Sequence, residues 1–261
     1  MQNRYVGDVG DFGKYGLLRA LCLPDGNKDP ALKLGVVWYL TSDETHNNDG
    51  RHIGYLEPTP ENLLAFRACD PDLYDGLRKI VSTGNRNVSA VRRQLILPEN
   101  TVYYERVLDL KGCTSRPLSI SRLECRRVWV KGAVQATEDC DVVFVDPDNG
   151  IGSIAQNSSK LGAKHVLLEE LLPYVERGQT LVVYHHLNRQ ATASAQIWTL
   201  MVKVSQTFGQ DLVVSALRYR KGSPRVFILC VAAGHQHMFQ MRLQQFSHRP
   251  WNQHFDIYLH S

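Results

Sequence analysis

The chain has 261 residues, of which 43% are hydrophobic and 21% charged, which fits one large soluble α/β domain and excludes a disordered chain. No apolar run approaches the ~20 residues that cross a bilayer, and the N-terminus lacks a signal peptide, so we expect a cytoplasmic protein without a membrane partner. The net charge of +4 permits a polyanionic partner, and the six cysteines contain no CxxC pair, so we expect free thiols and no zinc site.

The first unusual stretch is GDVGDFGKYGLL, which begins at Gly7 and places glycines among acidic and aromatic residues ahead of an apolar run. It is not a P-loop, because Tyr15 follows Lys14 where that motif needs Ser or Thr, and no strand fits before Gly7. The apolar spacing predicts a helix over residues 14–23. A near-continuous apolar run then predicts a buried strand over 32–41, of the kind that parallel sheets use.

The remaining chain alternates strands and helices, which predicts βαβ units and a parallel sheet. Residues 118–136 mix strand-like and basic patterns and favour neither state. The other predicted elements are, in chain order, a polar loop at 42–56, a mainly helical insertion around 59–112, a strand at 141–146, a helix at 165–178, a strand at 179–189, a helix at 193–208, a β-hairpin at 211–232 and a helix with a tail at 235–261. We therefore expect a single domain, 1–261, with a mostly parallel sheet closed by an antiparallel hairpin.

Two short motifs and this order of elements carry a resemblance. The segment from Gly7 matches G-N-H-A-D-x-x-K-H at Gly7, Asp11 and Lys14, and the strand at 141–146 leads into DPDN at residues 146–149. In both respects the chain resembles the bacterial enzymes that methylate N6 of an adenine in 23S ribosomal RNA with S-adenosylmethionine, whose catalytic strand ends in DPPY. The resemblance implies a Rossmann-like class I methyltransferase-type sandwich with an antiparallel C-terminal hairpin.

The resemblance also implies roles for individual residues. In that family the opening segment lies against the cofactor, so Asp11 and Lys14 become cofactor-binding candidates, and the glycine stretch would form a backbone lid over the carboxyl ends of the strands. The polar loop after the first strand adds Asp43 and His46 to the cofactor-binding candidates. The substrate would be nucleic acid, with the amino group of a base as the methyl acceptor.

The residues that end two predicted strands are the catalytic candidates. Asp146, Asp148 and Asn149 follow one strand, and His185 and His186 end the next, so these residues would meet at one edge of the sheet. One of the two histidines would point across that edge, and His185 is the catalytic candidate. Asp146 and Asn149 would orient the acceptor amine. The DPDNG sequence is also good turn chemistry, and a histidine in this position is often structural.

A second hypothesis is a metal-dependent hydrolase, such as a nuclease. The loop after the first strand has no glycine before Gly50, whereas a methyltransferase has a Gly-rich turn there. Asp43, Asp49, Asp146 and Asp148 would then bind Mg or Mn, because hard cations prefer carboxylate oxygens, and His185 would act as the base.

A third hypothesis is a non-catalytic nucleic-acid-binding module on a degenerate methyltransferase fold. Basic residues could line a nucleic-acid track, although a solvated surface explains them nearly as well. They are Arg122, Arg126, Arg127, Lys131, Arg218, Arg220 and Lys221.

Overall fold

The computed structural model describes residues 1–23, 31–44, 49–113, 118–153, 162–209, 212–248 and 250–259. Its strands are β1 (Leu34–Val37), β2 (Val102–Tyr104), β3 (Val142–Val145), β4 (Gly150–Ile151), β5 (His165–Val166), β6 (Thr180–His186), β7 (Val213–Tyr219), β8 (Arg225–Val231) and β9 (Phe255–Leu259). Its α-helices are α1 (Val9–Cys22), α2 (Pro60–Asn62), α3 (Pro71–Ser82), α4 (Val88–Arg93), α5 (Leu118–Ala136), α6 (Leu172–Glu176), α7 (Ala193–Phe208) and α8 (Gln236–His248).

The fold is α/β with a mixed sheet. Within the described residues, seven strands pair in the order β2-β1-β3-β6-β8-β7-β9. The strands β2, β1, β3 and β6 run parallel, whereas β8 is antiparallel to both β6 and β7, and β9 is antiparallel to β7. The predicted neighbours at 34–41, 141–146, 180–185 and 226–232 therefore share one sheet with the last antiparallel, as expected.

Helices cover both faces of the sheet, which explains why its central strands are apolar throughout. The side chains of α1, α3, α4 and α8 pack in the core on one face, and those of α5, α6 and α7 pack in the core on the other. Along β6 the successive side chains alternate between these cores, with Val182 and Tyr184 on the α1 face and Val183 on the opposite face. This alternation decides which residues reach the site below.

The glycine stretch at the N-terminus is helical and not a backbone lid, so this expectation was wrong. The helix α1 begins at Val9 because the Asp8 side chain accepts a hydrogen bond from the Gly10 N–H at 3.0 Å and caps it. A Cβ at Gly10, Gly13 or Gly16 would collide with a side chain from another element: Arg225, Tyr219 and Trp251, respectively. The glycines therefore let α1 pack closely against β7, β8 and the turn before β9.

Other elements differ from the sequence-based expectations. Residues 118–136, which had no assignment, form α5, and the predicted helix at 165–178 is a short strand, a 3-10 turn and the five-residue α6. Residues 59–112 hold α2, α3 and α4 but also β2, and residues 235–261 hold α8 and the edge strand β9 rather than a tail alone.

The structure bears on two expectations from composition, those about the cysteines and about membrane-spanning helices. Cys113 and Cys125 form a disulfide, so the expectation of free thiols was wrong for this pair, whereas Cys22, Cys69, Cys140 and Cys230 are free. None of the described helices combines the length and apolar character needed to cross a membrane.

Candidate functional site

A cavity of about 530 Å³ opens at the carboxyl ends of β3 and β6, beside the first turns of α1. Open α/β sheets bind ligands at this edge, and the volume lies within the ~300–1,000 Å³ of small-molecule sites. The lining is rich in charged and polar groups. It comprises Met1, Tyr5, Asp8, Asp11, Lys14, Glu44, Asp49, Gly50, His52, Asp146, Pro147, Asp148, Asn149, Lys164, His165, Tyr184, His186, Ser223 and Arg225.

The loop after β1 reaches the cavity because it is tied to the start of α1. The Val9 N–H donates to the His52 carbonyl at 2.9 Å, and the His52 N–H donates to Asp8 Oδ2 at 3.0 Å. Gly50 takes a left-handed φ of +82°, and a Cβ there would meet the Arg4 carbonyl oxygen. These bonds hold residues 49–52 beside the first turn of α1, where Asp49, Gly50 and His52 line the cavity.

Lys14 lies between two buried carboxylates. Its Nζ donates to Asp11 Oδ1 and to Asp146 Oδ2, both at 2.8 Å, and the Tyr15 hydroxyl donates to Asp11 Oδ2 at 3.1 Å. Burial alone would lower the pKa of Lys14, but the two carboxylates outweigh it and raise this pKa above its ordinary value. The predicted contact of Asp11 and Lys14 with the Asp146 end of the sheet is present.

The two carboxylate oxygens of Asp146 differ in their hydrogen bonds. Burial raises the pKa of Asp146, and the neighbouring Lys14 opposes that shift without cancelling it. Its Oδ2 is held by Lys14, whereas no described residue donates a hydrogen bond to its Oδ1. The carboxylate is therefore held by Lys14 in a residue that lines the cavity.

Asp148 is neutralised within the chain. It pairs with the amino group of Met1, accepts a hydrogen bond from Gln2 Nε2 at 3.0 Å, and lies 3.9 Å from Lys164 Nζ. Burial alone would raise the pKa of Asp148, but these groups together hold it below its usual value. The side chain is thus an ionised and internally paired carboxylate beside the cavity.

Asn149 lines the cavity, but His185 does not. The backbone of Asn149 is tied on both sides: its N–H donates to the Lys164 carbonyl at 2.8 Å and its carbonyl accepts from the His186 N–H at 3.2 Å. The Asn149 side-chain amide lies 3.4 Å from His165 Nε2.

His185 points to the face of the sheet away from α1. Its Nδ1 accepts a hydrogen bond from the Ile151 N–H at 3.1 Å, beside Gly150, whose φ is +98°. Burial lowers the pKa of His185 to about 4, so the ring is neutral near pH 7 and its Nδ1 is occupied. We expected His185 at the carboxyl edge of the sheet, but the next residue, His186, lines the cavity there.

The predicted metal ligands are divided between two cavities, with Asp49, Asp146 and Asp148 at the main one and Asp43 at another. Asp43 accepts a hydrogen bond from the Arg4 N–H at 3.3 Å and lines a separate cavity of about 90 Å³, while Asp49 lines the main cavity. Asp146 and Asp148 are each engaged by cationic groups of the chain. Among the described residues there is no group of three or more His, Cys, Asp or Glu side chains placed to hold a metal ion. His46 lies outside the described residues.

The basic run on α5 is not a continuous surface track. Arg126 is buried, forms an ion pair with Glu170, and donates to the carbonyls of Gly162 at 3.0 Å and His165 at 2.6 Å. On the hairpin, Arg218 and Arg220 both lie within ion-pair distance of Asp256, at 3.6 and 3.3 Å. The exposed members of the basic run are Arg127 and Lys131.

Sequence reasoning missed one cavity residue of particular interest. Arg225, the first residue of β8, lines the cavity and is only 8% exposed. The stretch RKGSPR is typical of a turn, and this pattern does not predict that its last arginine lines a cavity. Gly10 is the feature of the sequence that could have indicated a group at this position, because a glycine in the first turn of a helix indicates that another group packs against the backbone there.

No family model matches the sequence, and no curated protein matches it. A crystal structure of a protein from Legionella pneumophila str. Philadelphia 1, described as DUF519, aligns with 98% of this chain and 97% of that chain. The TM-score is 0.45 and the sequence identity is 10%, so the two chains share too little to assign a family.

Proposed function

We propose that this chain is an S-adenosylmethionine-dependent methyltransferase that acts on the amino group of a nucleic-acid base. The observation that carries the proposal is the DPDN segment at the carboxyl end of β3, where Asp146 lines the cavity and Lys14 fixes its Oδ2, while Oδ1 receives no hydrogen bond from a described residue. An exocyclic amine is a hydrogen-bond donor, and a fixed carboxylate oxygen is a suitable acceptor for it.

The strand order supports a Rossmann-like class I methyltransferase fold. The antiparallel β8 lies between β6 and β7, which run in the same direction as each other, at the end of a parallel core. This arrangement is typical of class I methyltransferases. The match of Gly7, Asp11 and Lys14 to the opening motif of the adenine-N6 enzymes adds support, because α1 brings two of these residues to the cavity.

The groups around the cavity suit the proposed cofactor. S-adenosylmethionine carries ribose hydroxyls and an ammonium group, which are donors that need acceptors, and the lining provides the carboxylates of Asp49 and of Glu44, which also pairs with Lys164. The turn after β1 lacks glycine, yet Tyr39 takes the left-handed φ of +41° that glycine ordinarily supplies. We propose that Glu44 and Asp49 hold the cofactor.

When bound, the cofactor would supply an electrophilic methyl group on a sulfonium. Asp146 Oδ1 would accept a hydrogen bond from the acceptor amine, orient its nitrogen, and stabilise the positive charge that develops there during transfer. Lys14 would keep the carboxylate in one position. The family aromatic after Asp-Pro-Pro is replaced by Asn149, and Tyr5 and Tyr184 are the lining rings on which a base would stack.

Transfer of a labelled methyl group tests this proposal. We expect the wild-type protein to move label from S-adenosylmethionine into RNA or DNA, and Asp146→Asn to lower the rate by roughly 10²–10³, the cost of losing one electrostatic partner of a transition state. The matched control is Asp75→Asn, which alters an exposed carboxylate paired with Arg67 and should leave the rate unchanged. Thermal melting of each variant separates loss of rate from loss of folding.

The proposal is rejected if folded wild-type protein moves no label into either nucleic acid. It is also rejected if Asp146→Asn, still folded, transfers methyl groups at the wild-type rate.

A further inference from the structure

Arg225 is a buried cation without a carboxylate partner in the described part of the chain. Its Nε donates to the Ser223 carbonyl at 3.0 Å, but no described residue accepts a hydrogen bond from Nη1 or Nη2. Arg19 and Arg126, by contrast, pair with Asp70 and Glu170. An ionised group that is buried without a counter-charge is costly, so an unpaired guanidinium at a cavity wall indicates a ligand that supplies the charge.

Two glycines make room for this guanidinium. A Cβ at Gly10 would overlap the Arg225 guanidinium, and one at Gly222, whose φ is +70°, would lie 3.3 Å from Nη2. Gly10 lies in the first turn of α1, where a larger residue would have to displace the guanidinium. The backbone is therefore shaped around the position that the Arg225 side chain occupies.

Two polar residues lie beside Arg225. His186 is the register partner of Arg225 between β6 and β8, and both His186 and Ser223 line the cavity. The first backbone N–H groups of α1 are already used: Val9 donates to the His52 carbonyl, and Gly10 donates to Asp8. The helix end therefore adds no free donors, and recognition here depends on the guanidinium.

We propose that Arg225, together with His186 and Ser223, forms a subsite for an anionic oxygen group, namely the phosphate of a nucleotide. The planar guanidinium presents Nη1 and Nη2 as a fork that matches two phosphate oxygens. The identification of the anion as a nucleotide phosphate rests on the proposed function. In that setting the subsite would hold the backbone phosphate of the target nucleotide while its base lies near Asp146.

Calorimetric titrations with adenosine monophosphate, adenosine and inorganic phosphate test the subsite without any methyl donor. We expect wild-type protein to bind adenosine monophosphate at least tenfold more tightly than adenosine. Arg225→Gln should remove this preference, and Arg225→Lys, which keeps the charge without the fork, should retain part of it. The matched control is Arg220→Gln, at an arginine already paired with Asp256, which should keep the wild-type preference.

Removing an unpaired buried charge should not destabilise the fold, so we expect Arg225→Gln to melt at or above the wild-type temperature. Equal affinity for adenosine monophosphate and adenosine in the wild type overturns the proposal, as does an unchanged preference in Arg225→Gln. Binding of inorganic phosphate as tight as that of the nucleotide would overturn the nucleotide assignment in favour of free phosphate.

Titrations with S-adenosylhomocysteine and methylthioadenosine test whether the anion that Arg225 binds belongs to the substrate or to the cofactor. If Arg225→Gln weakens S-adenosylhomocysteine but not methylthioadenosine, and leaves adenosine monophosphate unaffected, the anion is the cofactor carboxylate and the phosphate assignment is wrong. Failure of methyl transfer by the wild type, with the phosphate preference intact, would reject the proposed function and keep the subsite.

Discussion

The two sets of charges that line the cavity differ in how they are compensated. Asp11 and Asp146 share the cation of Lys14, and Asp148 pairs with the amino group of Met1, whereas Arg225 has no carboxylate partner among the described residues. Pairing within the chain fixes a side chain and offsets its charge as the protein folds. An uncompensated charge at the same cavity is suited to recognising a ligand, because its counter-charge arrives from outside.

The largest expected effect comes from breaking the paired set at Lys14. Lys14→Met leaves Asp11 and Asp146 buried without their shared cation, and loss of one partner of a buried pair costs about 3–5 kcal/mol of unfolding free energy. Urea denaturation at pH 7 measures it. The control is Arg67→Met, at an ion pair whose side chains are 44% and 49% exposed, where we expect at most about 1 kcal/mol. Equal losses in the two variants would contradict the account.

A second effect concerns the face of β6 away from the cavity. The pKa of His185 is lowered from 6.5 to about 4 by burial, so the unfolded chain binds a proton between these values that the folded chain does not. Stability should therefore fall by about 3 kcal/mol as the pH is lowered from 6.5 to 4, and be unaffected by His185 above 6.5. Denaturation curves across this range should show a shallower loss in His185→Gln. Identical slopes for both proteins would mean that His185 titrates normally and is not buried as described.

A smaller effect tests the packing that brings α1 to the cavity. Gly13→Ala places a methyl group against the Tyr219 ring, so we expect a net loss of about 1–3 kcal/mol from overpacking despite the better helix propensity of alanine. Gly234→Ala is the control, because nothing lies within 4 Å of a Cβ there. Urea denaturation of both variants gives the comparison. A Gly13→Ala protein as stable as the wild type would show that α1 does not sit this close to β7.

The smallest effect on stability is expected at Gly10. The added methyl group of Gly10→Ala meets the flexible end of Arg225, which can move, so the unfolding free energy should change by less than about 1 kcal/mol. The displaced guanidinium should nevertheless lose the preference for adenosine monophosphate over adenosine, measured by calorimetry. Retention of that preference would indicate that Arg225 does not bind the phosphate from its position against α1.

The sequence predicted the parallel core and part of the site. Apolar runs such as that of β3 identify strands buried on both faces, and the match at Asp11 and Lys14 placed α1 beside Asp146. An apolar run cannot show which face of the sheet each residue takes, because both faces are buried. The sequence therefore could not show that His186, and not His185, lines the cavity.

Other parts of the site depend on long-range pairing. Arg225 reaches the cavity only through the antiparallel register of β8 with β6, and no local pattern in RKGSPR indicates it. A related point applies to the candidate metal ligands: the cations that engage Asp146 and Asp148 come from Lys14 and Met1, far away in sequence. Local composition predicts which groups end a strand but not which partners meet them.

The most direct test of the central claim is a calorimetric titration of the wild-type protein with S-adenosylmethionine in the presence of a chelator, beside a titration with magnesium or manganese. The methyltransferase account predicts saturable heat with S-adenosylmethionine that does not need a metal. Absence of that heat, together with binding of manganese that Asp146→Asn abolishes, would contradict the account and favour a metal-dependent hydrolase.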